Sequence, residues 1–261
     1  MLKDNNNIKY HIGCTAEDVG KYCILPGDPG RCVKIAKYLN DAQFVASNRE
    51  YTTYTGYVAG EKVSVVSTGI GGPSAAIAVE ELAGLGVHTF IRIGTCGGIN
   101  TKVCSGDVVI ATSAVRCDGT TREYAPECFP ASADFEATSA LSDAAKSLGF
   151  SHHIGIVHSK DAFYGQANPE EMPMAELLLN RWESWKRLGV LASEMEASTL
   201  FVVGSARNLR CGACFNVIWN QEREKLGICE EEHHDTDKAV RVAVEAIKKL
   251  IIRDKEKNIT K

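Results

Sequence analysis

Three arginines of this chain stand at or beside turns, where their guanidinium groups can face one ligand. Arg31 lies in the first turn of a predicted helix, directly after the apolar run 22–25 (YCIL) and the segment 26–30 (PGDPG). Backbone N–H groups at a helix N-terminus and a guanidinium together form a site for a phosphate. The composition Gly-Asp-Pro-Gly is also that of an ordinary turn, so this segment alone leaves both interpretations open.

Arg92 is unusual because it lies inside the apolar segment 90–93 (FIRI), just before Gly94 and Thr95. A guanidinium does not remain in apolar surroundings without an anionic partner. That partner is either an acidic side chain from a neighbouring strand or a bound anion. In the second case, Thr95 adds a hydroxyl donor. Arg49, in the segment 47–51 (SNREY), is the third arginine that can join such a site.

Two carboxylates, Glu194 and Glu196, flank Met195 near a predicted helix start at Ser193. Ser193 and Glu196 have the spacing of a capping box, which stabilises a helix start and requires no ligand. Two carboxylates at a helix N-terminus also suit the vicinal hydroxyls of a ribose, because their oxygens accept hydrogen bonds. The local pattern supports both interpretations equally.

Aromatic and amide side chains follow two of the predicted strands. Phe163 can stack on a planar base or pack into the core. Gln166 carries both a donor and an acceptor, as pairing with a lactam edge requires. Gln221 and Arg223 follow the last strand and are also placed to contact the edge of a base.

Pairs of cysteines and histidines offer other chemistry. Cys211 and Cys214 have redox or half-zinc spacing, but no second close pair completes a zinc site. Their apolar, strand-like surroundings favour buried free thiols. His233 and His234 lie in the acidic segment 230–235 (EEEHHD), which favours a solvated loop before the last helix over a metal site.

Strand-like and helix-like segments alternate along the chain and must position these residues. The predicted strands are 22–25, 62–66, 89–93, 107–111, 153–158 and 211–219. The predicted helices are 31–39, 74–85, 134–148, 170–188, 193–207 and 236–253. Ser74 is expected to cap its helix, Gly149 to end another, and residues 94–98 to form a glycine turn. This alternation predicts an α/β fold on a central sheet, with ligands at the carboxyl ends of strands.

Length and charge restrict the class of protein. The 261 residues contain no linker-like stretch, which favours one domain, and we expect residues 1–10 and 254–261 to be flexible. A net charge of −4 argues against nucleic acid or a membrane surface as partner. No apolar run is long enough for a membrane span, and the polar N-terminus lacks a signal-peptide core. We therefore expect a cytoplasmic protein with reduced cysteines.

The motifs, taken in order, resemble those of the nucleoside phosphorylases, specifically the uridine phosphorylase branch of the hexameric enzymes. The resemblance extends from about His11 to Leu250 and rests on the segments 27–31 (GDPGR), 49–51 (REY), 67–74 (STGIGGPS), 92–95 (RIGT) and 194–196 (EME). It implies a single α/β domain with a central mixed, partly barrel-like sheet flanked by helices. It also implies a pentosyltransferase of nucleoside salvage that needs no cofactor and uses inorganic phosphate as co-substrate. Dimer units are expected to form a hexamer.

The resemblance also assigns site residues. It implies that phosphate is held by Gly27, Arg31, Arg92 and Thr95, with Arg49 reaching in from a neighbouring subunit. It implies a ribose held by Glu194, Met195 and Glu196, with His11 contributed across the same dimer interface. The base is expected beside Gly97, Phe163, Gln166, Gln221 and Arg223. A potassium site between subunits is expected at Glu50, Ile70 and Ser74.

The chain departs from the uridine phosphorylase pattern on the base side. Asn168 stands where the family's Gln-x-Arg motif has its arginine, and Gln221 stands at the second base-side arginine, with Arg223 two residues later. Asn220 occupies the place of an aspartate usual in purine enzymes, which favours a pyrimidine. We expect uridine and phosphate to give uracil and ribose 1-phosphate. A purine nucleoside phosphorylase acting on inosine or adenosine stays the main alternative.

Two further classes are less favoured. A hydrolytic nucleosidase does not need three arginines around one anion. A non-catalytic nucleoside-binding protein does not need a phosphate pocket beside its base pocket.

Overall fold

The computed structural model describes residues 7–228 and 231–259. Its strands are β1 Tyr22–Pro26, β2 Asn40–Asn48, β3 Tyr51–Val58, β4 Glu61–Val66, β5 Thr89–Gly98, β6 Val108–Cys117, β7 Ala131–Ser132, β8 His152–Lys160, β9 Ala192–Glu194 and β10 Arg210–Asn220. Its helices are α1 Pro29–Ala36, α2 Gly72–Ala83, α3 Thr120–Tyr124, α4 Phe135–Ser147, α5 Tyr164–Ala167, α6 Ala175–Arg187, α7 Ala197–Arg207, α8 Gln221–Lys225 and α9 Asp237–Ile259. A single 3-10 turn, Pro169–Glu171, lies between α5 and α6.

The strands of the described residues form one mixed sheet in the order β10-β6-β8-β9-β5-β1-β4-β3-β2, and β7 pairs with β6. Because β10 pairs with β5 as well as with β6, the strands β5, β10, β6, β8 and β9 close into a barrel. Strand β5 runs parallel to β1 and β10 and antiparallel to β9. The expected α/β fold with a partly barrel-like mixed sheet is confirmed.

Apolar side chains cover both faces of the central strand β5. Phe90 belongs to one buried cluster with Leu82 of α2, and Ile91 belongs to a second with Ile247 of α9. Successive strand residues point to opposite faces, so a strand covered by helices on both sides must be apolar throughout. Arg92 is the charged exception on this strand and is only 4% exposed.

The predicted glycine turn at residues 94–98 is wrong, because β5 continues through Gly98 and stays paired with β10. The glycines there allow close packing between strands. A Cβ on Gly98 would lie 2.5 Å from Asn220 Nδ2, and one on Gly94 would lie 3.1 Å from the Phe215 ring. Strand β5 therefore extends the sheet to the place where the site residues lie.

Several helix boundaries differ from those predicted. Helix α7 begins at Ala197 and Ser193 lies in β9, so the predicted helix start at Ser193 and the capping-box interpretation are wrong. Helix α2 begins at Gly72, so Ser74 is not its cap. The predicted helix 170–188 begins only at Ala175, since Pro173 lacks the N–H that a helix interior needs. Gly149 follows the end of α4 with a φ of +69°, as predicted.

The hairpin of β2 and β3 has no counterpart among the sequence predictions. Its turn contains Arg49 at a φ of +55°.

Cys211 and Cys214 on β10 are buried free thiols, as expected, and burial raises the pKa of both.

Helix α9 runs past its predicted end to Ile259, and Asp254 accepts hydrogen bonds from Arg210 and Tyr22. The expected flexible ends lie partly outside the described residues, at 1–6 and 260–261. Between residues 7 and 259, apart from 229–230, no helix combines the length and apolar character needed to cross a lipid bilayer.

Candidate active site

A cavity of about 850 Å³ opens at the carboxyl ends of β1 and β5, beside β9 and the start of α7. In α/β folds this edge of the sheet is the usual place for a ligand. The cavity lining includes these predicted site residues: Gly27, Arg31, Ile70, Arg92, Thr95, Gly97, Phe163, Gln166, Glu194, Met195 and Glu196. The fold thus brings together residues from five separate parts of the sequence.

One end of the cavity, the arginine end, consists of Gly27, Arg31, Arg92 and Thr95. The guanidinium groups of Arg31 and Arg92 are close enough to repel each other. Burial lowers the pKa of Arg31, Asp28 opposes this effect, and Arg92 adds to it. A Cβ on Gly27 would lie 3.4 Å from Arg92 Nη2 and 3.2 Å from the Gly69 carbonyl, so a side chain there would crowd the arginine. Two neighbouring positive charges attract an anion between them.

Arg92 is held by an ion pair, which is the first of the two alternatives that the sequence left open. Its Nη2 donates to Glu196 Oε2 at 2.5 Å, and its Nη1 donates to Thr68 Oγ1 at 3.0 Å. The acid comes from the start of α7 and not from a neighbouring strand. A guanidinium has five N–H donors, so this pairing does not exhaust the capacity of Arg92 for a further acceptor.

Glu196 links the arginine end to the loop before α2. Its Oε1 accepts a hydrogen bond from the Gly71 N–H at 2.6 Å, and its side chain is buried. A carboxylate has about four acceptor positions. Glu196 therefore keeps room to accept hydroxyl hydrogen bonds from a ligand while it holds Arg92.

Glu194 supports the start of α7. Its Oε2 accepts from the backbone N–H groups of Glu196 and Ala197 at 2.8 and 2.9 Å, and its Oε1 accepts from Ser159 Oγ. Burial raises the pKa of Glu194 to about 7, with Glu196 adding to the rise and Arg92 opposing it. Glu194 thus caps the start of α7, the role that one of the two sequence interpretations gave to Ser193.

Lys160 is a functional candidate that sequence reasoning missed. It is 9% exposed and lines the cavity, and its Nζ donates to Ser193 Oγ at 2.8 Å. Burial lowers its pKa to about 8, against the opposing attraction of Glu194 and Glu196. The available signal was the same as for Arg92, namely a cation at the carboxyl end of an otherwise uncharged, strand-like segment.

The other end of the cavity, the aromatic end, consists of Gly97, Phe163, Gln166 and Trp219. Phe163 is 58% exposed, so it is not a core residue. A Cβ on Gly97 would lie 3.4 Å from Gln166 Nε2 and 3.5 Å from the Trp219 ring. The glycine leaves an open space flanked by an amide and two aromatic rings, which suits a flat, polar-edged ligand.

A second cavity of about 470 Å³ adjoins the aromatic end and shares Lys160, Gln166, Ala167 and Trp219 with the first. Gln221 lines this second cavity and accepts a long hydrogen bond, 3.5 Å, from Gln166 Nε2. Arg223 lines neither cavity. Its Nη1 donates to the Thr101 carbonyl at 2.8 Å, so the guanidinium is directed away from the place where a base reader was expected.

His11 and Arg49 lie outside the cavity lining of their own chain but close to each other. The His11 ring and backbone bind the Glu81 carboxylate, and Asn48 Nδ2 donates to the His11 carbonyl at 2.8 Å. Arg49, the next residue, is exposed in the β2–β3 turn. Both predicted residues therefore belong to one surface, as a contribution to another subunit requires.

Glu50 and Ser74 are also neighbours, with Ser74 Oγ donating to Glu50 Oε1 at 3.2 Å. Ile70 is 77% exposed. Among the described residues, no three His, Cys, Asp or Glu side chains converge in a way that could hold a metal ion. His234 pairs with Glu232 at 2.7 Å, and both border the cavity; Cys229 and Glu230 of this segment lie outside the described residues.

Comparisons with known proteins agree with this geometry. A family model described as the phosphorylase superfamily matches residues 21–253. A uridine phosphorylase of Treponema pallidum (strain Nichols) is 52% identical over 250 residues, which cover 96% of this chain and 97% of that protein. A uridine phosphorylase of Escherichia coli (strain K12) is 41% identical over 247 residues, 93% of this chain and 98% of that protein. A guanosine phosphorylase of Halorubrum lacusprofundi is 36% identical over 247 residues, 92% and 98% of the two chains.

Proposed function

The chain belongs to the phosphorylase superfamily, and we propose that it is a pentosyltransferase that converts uridine and phosphate to uracil and ribose 1-phosphate. The observation that carries this proposal is a single cavity with two arginines, Arg31 and the buried Arg92, at one end and an amide with aromatic rings at the other. An anion and a nucleoside fit such a cavity side by side. The high identity to uridine phosphorylases supports uridine as the nucleoside.

We assign the phosphate to the arginine end. Arg31, Arg92, Thr95 and the backbone at Gly27 supply cationic and hydrogen-bonding partners for its oxygens. Holding phosphate beside C1′ of the nucleoside turns a reaction between two molecules into a reaction within one complex. The phosphate is itself the nucleophile, so no covalent enzyme intermediate is needed.

We assign the ribose to Glu196 and Met195. As the glycosidic bond breaks, the ribose passes through an oxocarbenium-like state, as in other glycosyl transfers. Glu196 accepts hydrogen bonds from the 2′ and 3′ hydroxyls, and its negative charge stabilises the cationic sugar. Glu194 then acts behind Glu196, because it holds the backbone from which that carboxylate projects.

We assign the base to the aromatic end, where Phe163 stacks on the ring and Gln166 pairs with its edge. Negative charge develops on the pyrimidine as it leaves, and the buried ammonium of Lys160 offsets that charge. Lys160 thus supplies the positive charge on the base side. In the sequence, Gln221 stands where the family has its second base-side arginine, and Arg223 follows two residues later. Asn220 is unsuited to protonating a purine, since Nδ2 donates to two carbonyls and Oδ1 caps α8.

We further propose that the enzyme acts in nucleoside salvage as a hexamer built from three dimers. The joint location of His11 and Arg49 on one surface supports a site completed by a neighbouring subunit. The proximity of Glu50 and Ser74 supports a potassium ion at that interface, with Ile70 as the third ligand. The free cysteines of the described residues support a cytoplasmic location.

The test is to incubate the purified protein with uridine, deoxyuridine, thymidine, inosine, adenosine and guanosine, with and without phosphate, and to measure the free base. We expect uridine to be cleaved fastest and only when phosphate is present. Equal cleavage without phosphate would mean a hydrolase. Faster cleavage of a purine nucleoside would instead support the alternative raised by the guanosine phosphorylase relative.

A further inference from the structure

Three buried polar side chains form a chain of hydrogen bonds at the boundary between the two cavities. Lys160 Nζ lies 2.8 Å from Ser193 Oγ, and Ser193 Oγ lies 3.0 Å from His158 Nδ1. All three residues are less than one tenth exposed. Lys160 lines both cavities, whereas His158 lines only the second.

The direction of these hydrogen bonds follows from the donors available. The Lys160 ammonium has only N–H donors, so Ser193 Oγ accepts from it. The hydroxyl proton of Ser193 is then free to be donated to His158 Nδ1. This arrangement requires a neutral imidazole that carries its proton on Nε2.

The charges around these three side chains favour this direction of hydrogen bonding, from Lys160 through Ser193 to His158. Lys160 faces Glu194 of β9, Glu196 before α7 and Cys96 of β5. His158 faces Lys160 on its own strand and Arg181 of α6, and its ring is tilted against Trp185 with the ring centres 5.8 Å apart. Burial and the two cations lower the pKa of His158 to about 3. The imidazole is therefore neutral at physiological pH, as the chain requires.

We propose that Ser193 and His158 are positioning residues that hold the Lys160 ammonium at the aromatic end of the cavity, against the departing base. This inference rests on the proposed function. Without Ser193, Lys160 would lose an acceptor that favours its charged form and fixes the position of its ammonium. Without the Nδ1 acceptor of His158, the Ser193 hydroxyl would lose its fixed orientation. The cation would then be misplaced or discharged during cleavage of the glycosidic bond.

The test compares uridine with 5-fluorouridine in single-turnover reactions at saturating phosphate. Fluorine makes the departing uracil more acidic, so its departure needs less help from a cation. In Ser193→Ala and in His158→Leu we expect the uridine rate to fall about ten- to a hundredfold, the usual effect of losing a hydrogen bond to a charged group. The fall should be clearly smaller for 5-fluorouridine. In separate steady-state reactions with varied phosphate, KM for phosphate should stay unchanged.

His158→Asn is the conservative variant, because its amide oxygen can accept from Ser193 in place of Nδ1, and it should restore most of the uridine rate. Ser142→Ala is the control for loss of packing. It removes a buried hydroxyl of α4, and Ser142 lines neither cavity. Equal falls on the two nucleosides, or no fall in Ser193→Ala, would overturn the proposal.

A second measurement does not depend on activity. Competitive acetylation of the folded protein over a range of pH, read by mass spectrometry at the Lys160 peptide, gives the titration midpoint of this lysine. Loss of the Ser193 acceptor should lower that midpoint in Ser193→Ala relative to the natural protein. An unchanged midpoint would refute the positioning role. If the natural protein fails to cleave uridine, the proposed function fails, while the acetylation result still decides whether Ser193 holds Lys160.

Discussion

Arg92 has two roles: it pairs with Glu196, and in the proposed function it binds phosphate. Substitutions of Arg92 and Glu196, made singly and together, can separate these roles. In Arg92→Met, the buried carboxylate of Glu196 loses its 2.5 Å partner and keeps the hydrogen bond from the Gly71 N–H. Removing one member of a buried ion pair typically costs about 3–5 kcal/mol, because the other charge stays buried and unpaired. The single variant should therefore be less stable by about that amount.

The double variant Arg92→Met/Glu196→Gln removes the unpaired charge while keeping an amide that can accept from Gly71. We expect it to recover most of the lost stability, measured as the free energy of unfolding in urea. We do not expect it to recover activity, because the phosphate has lost a cationic partner and the ribose a carboxylate. Glu196→Gln alone reports the effect of the second change.

Activity is measured as kcat/KM for phosphate at saturating uridine. Loss of one preorganised charge partner typically costs about two to three orders of magnitude in rate, so Arg92→Met should fall by that factor even at temperatures where it is fully folded. If kcat/KM for phosphate in Arg92→Met equals that of the natural protein, Arg92 does not belong to the phosphate site. A double variant no more stable than the single one would refute the argument about the unpaired carboxylate.

Three other perturbations test separate parts of the site. The rate of uridine cleavage should decline as pH rises through about 8, where Lys160 loses its proton, and Lys160→Arg should move this decline to higher pH in a pH–rate profile. Burial raises the pKa of Glu194 from 4.5 to about 7, so between these values the folded protein holds a proton that the unfolded chain has lost, and stability falls with rising pH. In Glu194→Gln, the loss of unfolding free energy between pH 4.5 and about 7, measured in urea, should be smaller by up to about 3 kcal/mol. An unchanged dependence of stability on pH would contradict this role of Glu194. Gly97→Ala should raise KM for uridine about tenfold and leave KM for phosphate unaltered, because the added methyl would stand between Gln166 and Trp219.

The sequence alone was sufficient for the fold class and for much of the arginine end. Alternating apolar segments and turn residues predict an α/β sheet, because periodicity and turn chemistry are local properties of the chain. The guanidinium of Arg92 within an apolar strand also requires an anionic partner wherever the strand lies. The closing of β10 onto β5 is different, since it depends on pairing between strands more than one hundred residues apart.

Only the tertiary structure decided which partners these residues have. Ser193 and Glu196 look locally like a capping box, yet Ser193 contacts Lys160 and His158, and Glu194 caps the helix in its place. Lys160 was not among the predicted site residues, and only the folded structure buries it beside Glu194. Arg223 looked like a base reader but is bonded to Thr101. Local sequence sets which hydrogen bonds a side chain is able to make, whereas burial and long-range contacts select the ones it makes.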